Sequence, residues 1–460
     1  MGRLATMTRQ ATENAAGAAP VPAAARLSAT EAAARIAAGD LTAAALAEAC
    51  IARTLARDDA VRAWTVFEPG MVRRQAAERD AGTPLGPLHG VPVGIKDILF
   101  TRDLPTTYNS PHFQSHHPNV DAAVVALLRA AGAIVFGKND TVEFAVNGRR
   151  ARTRNPHDPG RTPGGSSSGS AAAVADFQVP LSIGTQTGGS VIRPASYCGV
   201  YAMKPTWNAV SAEGMKTCAP SIDTIGWYAR SAEDIALLCD VFSITGDGRS
   251  APASLDGASI AICRSPVWDK AEPEAREALE RCTLLLEAAG ARVETLDLPD
   301  RFDGLTDAHK VIMQCEMRST FLPEYAALGD ALYAELVATM RNEAGYTSAD
   351  LRGAYELAAE CRARFDAVAE GYDAVVTPST AGIAPKGLDD TGAATFNRIW
   401  TLLHTPCVNV PGLSGPGGMP VGLTVTGPRF SDRRVVAVAE MLGACIRHRS
   451  TASPDHQQPE

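Results

Sequence analysis

The absences in this sequence narrow it before any motif does. No run of about 18 apolar residues occurs, so no membrane-spanning helix is expected. There is no C-x-x-C, no H-E-x-x-H, and no glycine–lysine pair followed by serine or threonine, because Gly137-Lys138 runs into Asn139. These gaps remove the patterns of a zinc site, a dithiol pair and a phosphate-binding loop, so neither metal nor cofactor is expected. Clusters of lysine and arginine are missing too. The chain carries 43 basic and 51 acidic residues, a net charge of −8, which gives no footprint for nucleic acid or an anionic membrane surface. The G-x-S-x-G elbow is also absent. None of the nine histidines has a neighbourhood that suggests a general base, and His89 and His157 lie in turn-like settings. A histidine-based triad stays open on sequence alone, because its members can be far apart in the chain.

What is present is an ordinary globular composition, 460 residues with 45% hydrophobic content, enough for a large core. Ten cysteines are scattered without a pairing pattern, most of them in apolar runs such as "IALLCDVF". They read as reduced core residues of a cytoplasmic protein. Residues 1–26 are Ala-rich with no secretory-signal pattern and are expected to be a disordered tail, as are residues 449–460.

Between the tails, helical and strand patterns alternate. "SATE" at Ser28–Glu31 is a capping box opening an Ala-rich helix. "HGVPVGIKDILF" reads as a buried strand, "DAAVVALLRAAGAIVFGKND" as helix, glycine stop and strand, and "GSAAAVADFQVPLSIGTQTGG" as a small-residue helix followed by a strand. The pattern predicts one α/β domain over 27–448, with a central mixed, mostly parallel sheet covered by helices on both faces. Residues 305–370 are helical almost throughout and are expected to form a subdomain or lid.

Two Gly/Ser-rich segments stand out. "RTPGGSSSGSAAAVA" spans Arg161–Ala175 and "GTQTGGSVIRP" spans Gly184–Pro194. Small residues at such density mark places where backbone comes close to another group. Ser190, after two glycines, has the look of a nucleophile, yet a serine hydroxyl needs a base and no histidine is near.

The run from Gly164 to Thr206 resembles the signature of the amidase signature family, serine hydrolases that cut C–N bonds with a Ser–cis-Ser–Lys triad. The similarity extends over roughly 27–445 through "GPLHGVPVGIKD", "AAGAIVFGKNDTVEFA", "PSIDTIGWYARSAEDIALL" and "FNRIWTLLHTPCVNVPG". It implies that Lys96 is the base, that Ser166 follows a cis peptide bond and relays the proton, and that Ser190, 24 residues later, is the nucleophile. It further implies an oxyanion hole from the backbone of Thr187, Gly188 and Gly189. A free lysine, with a pKa near 10.4, is neutral in only about one copy in 2,500 at pH 7, so this role requires burial to lower its pKa. Asp97 would oppose that shift, but neighbours on a strand face opposite sides.

Three positions depart from the commonest family pattern. Gln186 replaces an acid, Ile192 stands where arginine is usual with Arg193 one place later, and Ser168 replaces a glycine. "TQTGGSVIRP" is most similar to the branch that includes malonamidase and hydrolases of aryl amides and carbamates. There the resemblance implies that Arg193, with Gln186 beside it, meets the substrate; Arg193 serves either as a carboxylate clamp or as a loop brace. Phe396, Trp400 and Leu403 are either pocket wall or core. The implied partner is a small amide or carbamate, and the resemblance allows a homodimer. The alternative is a glutamine-hydrolysing component of an amidotransferase, working with partner chains; Gln186 and Ile192 speak against it.

Overall fold

The computed structural model describes residues 20–146 and 148–451. Its frame is one sheet of eleven strands: β1 (Trp64–Phe67), β2 (Pro92–Lys96), β3 (Ile134–Asn139), β4 (Leu181–Gln186), β5 (Tyr201–Lys204), β6 (Thr224–Ala229), β7 (Ser259–Cys263), β8 (Arg292–Leu296), β9 (Ala374–Pro378), β10 (Cys407–Ser414) and β11 (Pro420–Thr426). They lie in the order β1-β3-β2-β4-β6-β5-β10-β11-β9-β7-β8. Every residue of β2, β3, β4, β6, β9 and β11 is buried, so both faces of the sheet are covered, and the helices that join the strands do the covering.

The sheet is mixed, as expected, but the emphasis on parallel strands needs correcting. Parallel pairing is confined to β2 with its neighbours β3 and β4, and to β7 with β8 and β9. The other six pairings are antiparallel. The helix–strand alternation read from sequence covers the parallel parts. The antiparallel centre comes from strands such as "YAMK" and "TIGWYA", whose short apolar runs carry no crossover helix between them.

Local signals place several elements as expected. Ser28 and Glu31 form the reciprocal capping box of the helix Ala29–Ala38, which stops at Gly39 in the left-handed region, φ 80°. The ordered chain starts before residue 27: Ala24–Arg26 form a turn with Ala25 buried, and the Arg230 guanidinium donates to the carbonyls of Ala25 and Leu27. The last helix runs Asp432–Thr451, past the expected end at 448. The rest of both expected tails, 1–19 and 452–460, lies outside the described residues. Residues 305–370 are helical, in Leu305–Thr320, Leu322–Leu328, Ala334–Met340 and Ser348–Ala369, and share one hydrophobic core with the sheet. Among the described residues no helix is long and apolar enough to cross a membrane.

β2 and β4 are adjacent and parallel, so their carboxyl ends open on the same edge, the usual place for a site in an open α/β sheet. Lys96 closes β2 and Gln186 closes β4.

Candidate active site

Lys96 is fully buried at the end of β2. Its Nζ lies 2.8 Å from Ser166 Oγ and 2.8 Å from Thr185 Oγ1, with the Thr185 carbonyl at 3.4 Å. Burial pushes its pKa well below the ordinary lysine value, and the buried carboxylate of Asp223 partly opposes this. Asp97 does not, because its carboxylate is turned to Lys138 Nζ at 3.3 Å and to Thr107. A neutral amine has two N–H donors and one lone pair. With the donors directed at Thr185, the lone pair is free to accept from the Ser166 hydroxyl.

The Gly165–Ser166 peptide bond is cis. The loop that holds it packs onto the segment after β4. Arg193 Nε donates to the Gly165 carbonyl at 3.2 Å, its Nη2 donates to the same oxygen, and its Nη1 donates to the Gly392 carbonyl. Ser167 Oγ donates to the Thr185 carbonyl and accepts from the Thr185 N–H, both at 3.2 Å. Ser168 donates to the Gly164 carbonyl. The chain thereby brings Lys96, Ser166, Thr185 and the start of the helix Ile192–Cys198 together.

Exposure rises along the expected relay, from 0% at Lys96 to 4% at Ser166 and 9% at Ser190. The open end is thus the serine. Ser190 Oγ makes no hydrogen bond among the described residues, so the contact from Ser166 to Ser190 is not closed here, a common state before substrate arrives. The Ser190 carbonyl accepts from the Tyr228 hydroxyl at 3.1 Å.

The Thr187–Gly189 loop is braced on several sides. Thr187 Oγ1 donates to Asp223 Oδ1 at 2.5 Å, and the Thr187 carbonyl accepts from His309 Nε2 at 2.7 Å. The Gly188 carbonyl accepts from Thr401 Oγ1 at 2.7 Å. The amides of Gly188, Gly189 and Ser190 donate to no acceptor among the described residues. A side chain at Gly189 would collide with Asn397 Oδ1, whereas one at Gly188 would find ordinary contacts. Burial raises Asp223 to about 6 and lowers His309 to about 4, so the imidazole is neutral at pH 7 with its proton on Nε2.

Gln186 and Arg193, the expected substrate contacts, direct their polar atoms into the protein. Gln186 Oε1 accepts from the amides of Val191 and Ile192 at 2.8 and 3.0 Å, and its Nε2 donates to Thr401 Oγ1 at 2.9 Å. Phe396, Trp400 and Leu403 are core, each at most 1% exposed. The neighbouring face of the same helix, Thr395–Leu402, presents Asn397, Arg398 and Thr401 to the loop. Sequence reasoning misses these residues, along with Thr185, Asp223 and His309. A signal existed for Asp223, which lies inside the block "PSIDTIGW" that carries part of the family resemblance. A cavity of about 550 Å³, lined by Phe100, Tyr108, Trp207, Met215 and Asp223, reaches the loop from the Asp223 side. Another, about 420 Å³ beside Trp268 at the sheet edge, touches none of these residues. No cluster of metal-ligating side chains exists among the described residues.

The amidase family model matches residues 45–436. The chain belongs to the amidase family. Among its relatives, a glutamyl-tRNA(Gln) amidotransferase subunit from Symbiobacterium thermophilum is 33% identical, over 92% of this chain and 97% of the relative. Among solved structures, the peptide amidase of Stenotrophomonas maltophilia superposes with a TM-score of 0.80 at 29% identity, covering 93% of this chain and 98% of that one. The corresponding glutamyl-tRNA(Gln) amidotransferase subunit from Thermotoga maritima superposes with a TM-score of 0.76 at 27% identity, covering 91% and 94%. These amidotransferase relatives overturn the expectation of a chain whose partner is a small amide or carbamate alone. The motif argument behind that expectation loses its weight, because Gln186 caps the loop from within.

Proposed function

We propose that this amidase cleaves a carboxamide C–N bond through an acyl-enzyme on Ser190, and that the amide is the side chain of glutamine, hydrolysed within an amidotransferase assembly. The observation that carries the chemistry is the fully buried Lys96 amine hydrogen-bonded to Ser166. Neutral Lys96 accepts the Ser166 proton as Ser166 takes that of Ser190, and the Ser190 oxygen attacks the carbonyl carbon. The amides of Thr187, Gly188 and Gly189 receive the negative charge that develops on the carbonyl oxygen, each such donor being worth about 2.7–4 kcal/mol. The proton returns through Ser166 to the leaving nitrogen, which departs as ammonia. Water then repeats the sequence on the acyl-enzyme and releases the acid.

Two observations support the glutamine reading. Relatives similar over nearly the whole length are amidotransferase subunits. The Gln186 departure also loses its force, since a side chain turned inward does not choose a substrate. "TQTGGSVIRP" favours a second reading, the branch with malonamidase and the hydrolases of aryl amides and carbamates, and the peptide amidase likeness points to peptide amides.

One experiment separates these. Ser190 labelling by a fluorophosphonate is followed by product release from glutamine, malonamate, an anilide, an aryl carbamate and a dipeptide amide. Ammonia from glutamine, enhanced by partner subunits, is the expected result. Turnover of the others with none of glutamine moves the chain to the second reading. Absence of both labelling and turnover removes the serine hydrolase mechanism itself.

A further inference from the structure

The helical wall over the loop holds polar groups without partners. Asn397 Nδ2 donates to the Ser379 carbonyl at 3.0 Å, which fixes the amide orientation and leaves Oδ1 buried and unpartnered. His309 Nε2 is engaged with the Thr187 carbonyl, and its Nδ1 is likewise buried and unpartnered. The Arg398 guanidinium makes neither hydrogen bond nor ion pair among the described residues. The carboxylate of Asp307 draws on it only from beyond ion-pair range. A methyl group on Gly188 would lie 3.7 Å from His309 Cε1 and 3.9 Å from Arg398 Cγ, and one on Gly189 would strike Asn397. The imidazole, the Asn397 amide oxygen and the stem of Arg398 therefore border the two glycines beside Ser190.

The charge of Arg398 acts on His309 and on Arg193 across the loop, lowering the proton affinity of both. Arg193 is committed to the carbonyls of Gly165 and Gly392, which leaves Arg398 as the cation with donors to offer. A guanidinium presents a planar fork of donors that matches a carboxylate. Two acceptors beside it, an imidazole nitrogen and an amide oxygen, call for N–H on the same ligand.

We infer that Arg398 is the specificity-determining residue of the site and binds a carboxylate on the amide substrate, while His309 Nδ1 and Asn397 Oδ1 accept hydrogen bonds from an N–H group of that substrate. The substrate class is a carboxylate-bearing amide with an amino group next to the acid. This rests on the proposed amide hydrolysis and names the part of the substrate that the triad does not touch.

The test is a ladder of three primary amides: L-glutamine with acid and amine, glutaramate with the acid alone, and butanamide with neither. Wild-type kcat/KM is expected to fall at each step. In Arg398→Gln the preference for glutaramate over butanamide should shrink about 10- to 150-fold, the range for a hydrogen-bonded charge pair, mainly through KM. Arg398→Lys should recover part of that preference, because the charge remains while the fork is lost. Should Arg398→Gln not fold, the lysine variant and competitive inhibition by glutarate of wild-type butanamide hydrolysis carry the test. An unchanged glutaramate-to-butanamide ratio, or equal losses on both amides, overturns the inference; equal losses would mean that Arg398 acts on the reacting carbonyl. Failure of the wild type to hydrolyse any amide, with Ser190 unlabelled, is a different failure and belongs to the proposed chemistry.

Discussion

The two walls that meet at Gly188 treat their polar groups in opposite ways. On the sheet side Lys96, Asp97, Ser167, Gln186 and Arg193 are bonded to the protein itself. On the helical side His309 Nδ1, Asn397 Oδ1 and the Arg398 guanidinium are not. A buried polar atom without a partner costs about 1–3 kcal/mol, so a fold retains several in one place only where something else uses them. A group already bonded to its own chain can hold geometry but cannot select a ligand. The sheet wall is thus suited to chemistry and the helical wall to choice.

The largest effects belong to the sheet wall. Ser190→Ala or Lys96→Ala, folded by circular dichroism, should each lower kcat at least about 10³-fold; substantial residual turnover would remove these residues from the chemistry. The same wall predicts a stability effect of opposite direction. The folded pKa of Lys96 lies below its ordinary 10.5, so between those values the unfolded chain holds a proton that the folded chain lacks. Lys96 therefore contributes stability that rises with pH across that window, in the same direction as the buried Lys138 and Lys204, and Lys96→Met should reduce the slope and stabilise the protein at pH 7. Urea midpoints at pH 7 and 9.5 read this, and a wild-type slope retained in the variant would place the proton elsewhere.

The glycines between the walls come next. Gly189→Ala should cost about 10²-fold in kcat, since its methyl collides with Asn397 and displaces a donor, while Gly188→Ala should cost under about tenfold. Equal effects would mean that the Asn397 contact does not position the loop. The smallest effect belongs to Thr401→Val, which removes the hydrogen bond to the Gly188 carbonyl together with the acceptor of Gln186 Nε2. A loss of about 1 kcal/mol, roughly fivefold in kcat with KM nearly unchanged, is expected, and a pure KM effect would place Thr401 in substrate binding instead.

The same division explains what could be read from the chain. Lys96, Ser166 and Ser190 stand inside contiguous Gly-, Ser- and Val-rich segments whose composition is itself the signal. On the helical wall the block "FNRIWTLLHTPCVNVPG" shares in the family resemblance, but nothing in it marks which residues face the loop. His309 meets Thr187 from 122 residues away, and Thr401 meets Gly188 from 213. Within "FNRIWTLL" the conspicuous Phe396 and Trp400 are core, and the polar residues between them, one helical face round, border the loop. Gln186 and Arg193 stand out for chemical type, but their partners are backbone groups that no composition reveals. The alternation of helix and strand points to the α/β class, while the antiparallel centre depends on pairings between distant strands such as β5 with β10.

The donors behind the loop have an electronic consequence. His309 donates to the carbonyl of the Thr187–Gly188 peptide, and Thr401 to that of the Gly188–Gly189 peptide. The N–H ends of those same two peptide units belong to Gly188 and Gly189. A hydrogen bond at the oxygen of an amide draws electron density through its π system and leaves the N–H more acidic. Gln186 extends one such line, since its amide donates to Thr401 Oγ1, whose single hydrogen has the Gly188 carbonyl at 2.7 Å as its nearer acceptor and the Asn397 carbonyl at 3.1 Å as the other. Two ordinary peptide units are in this way turned into polarised donors by side chains that lie behind them, out of the reacting carbonyl's reach.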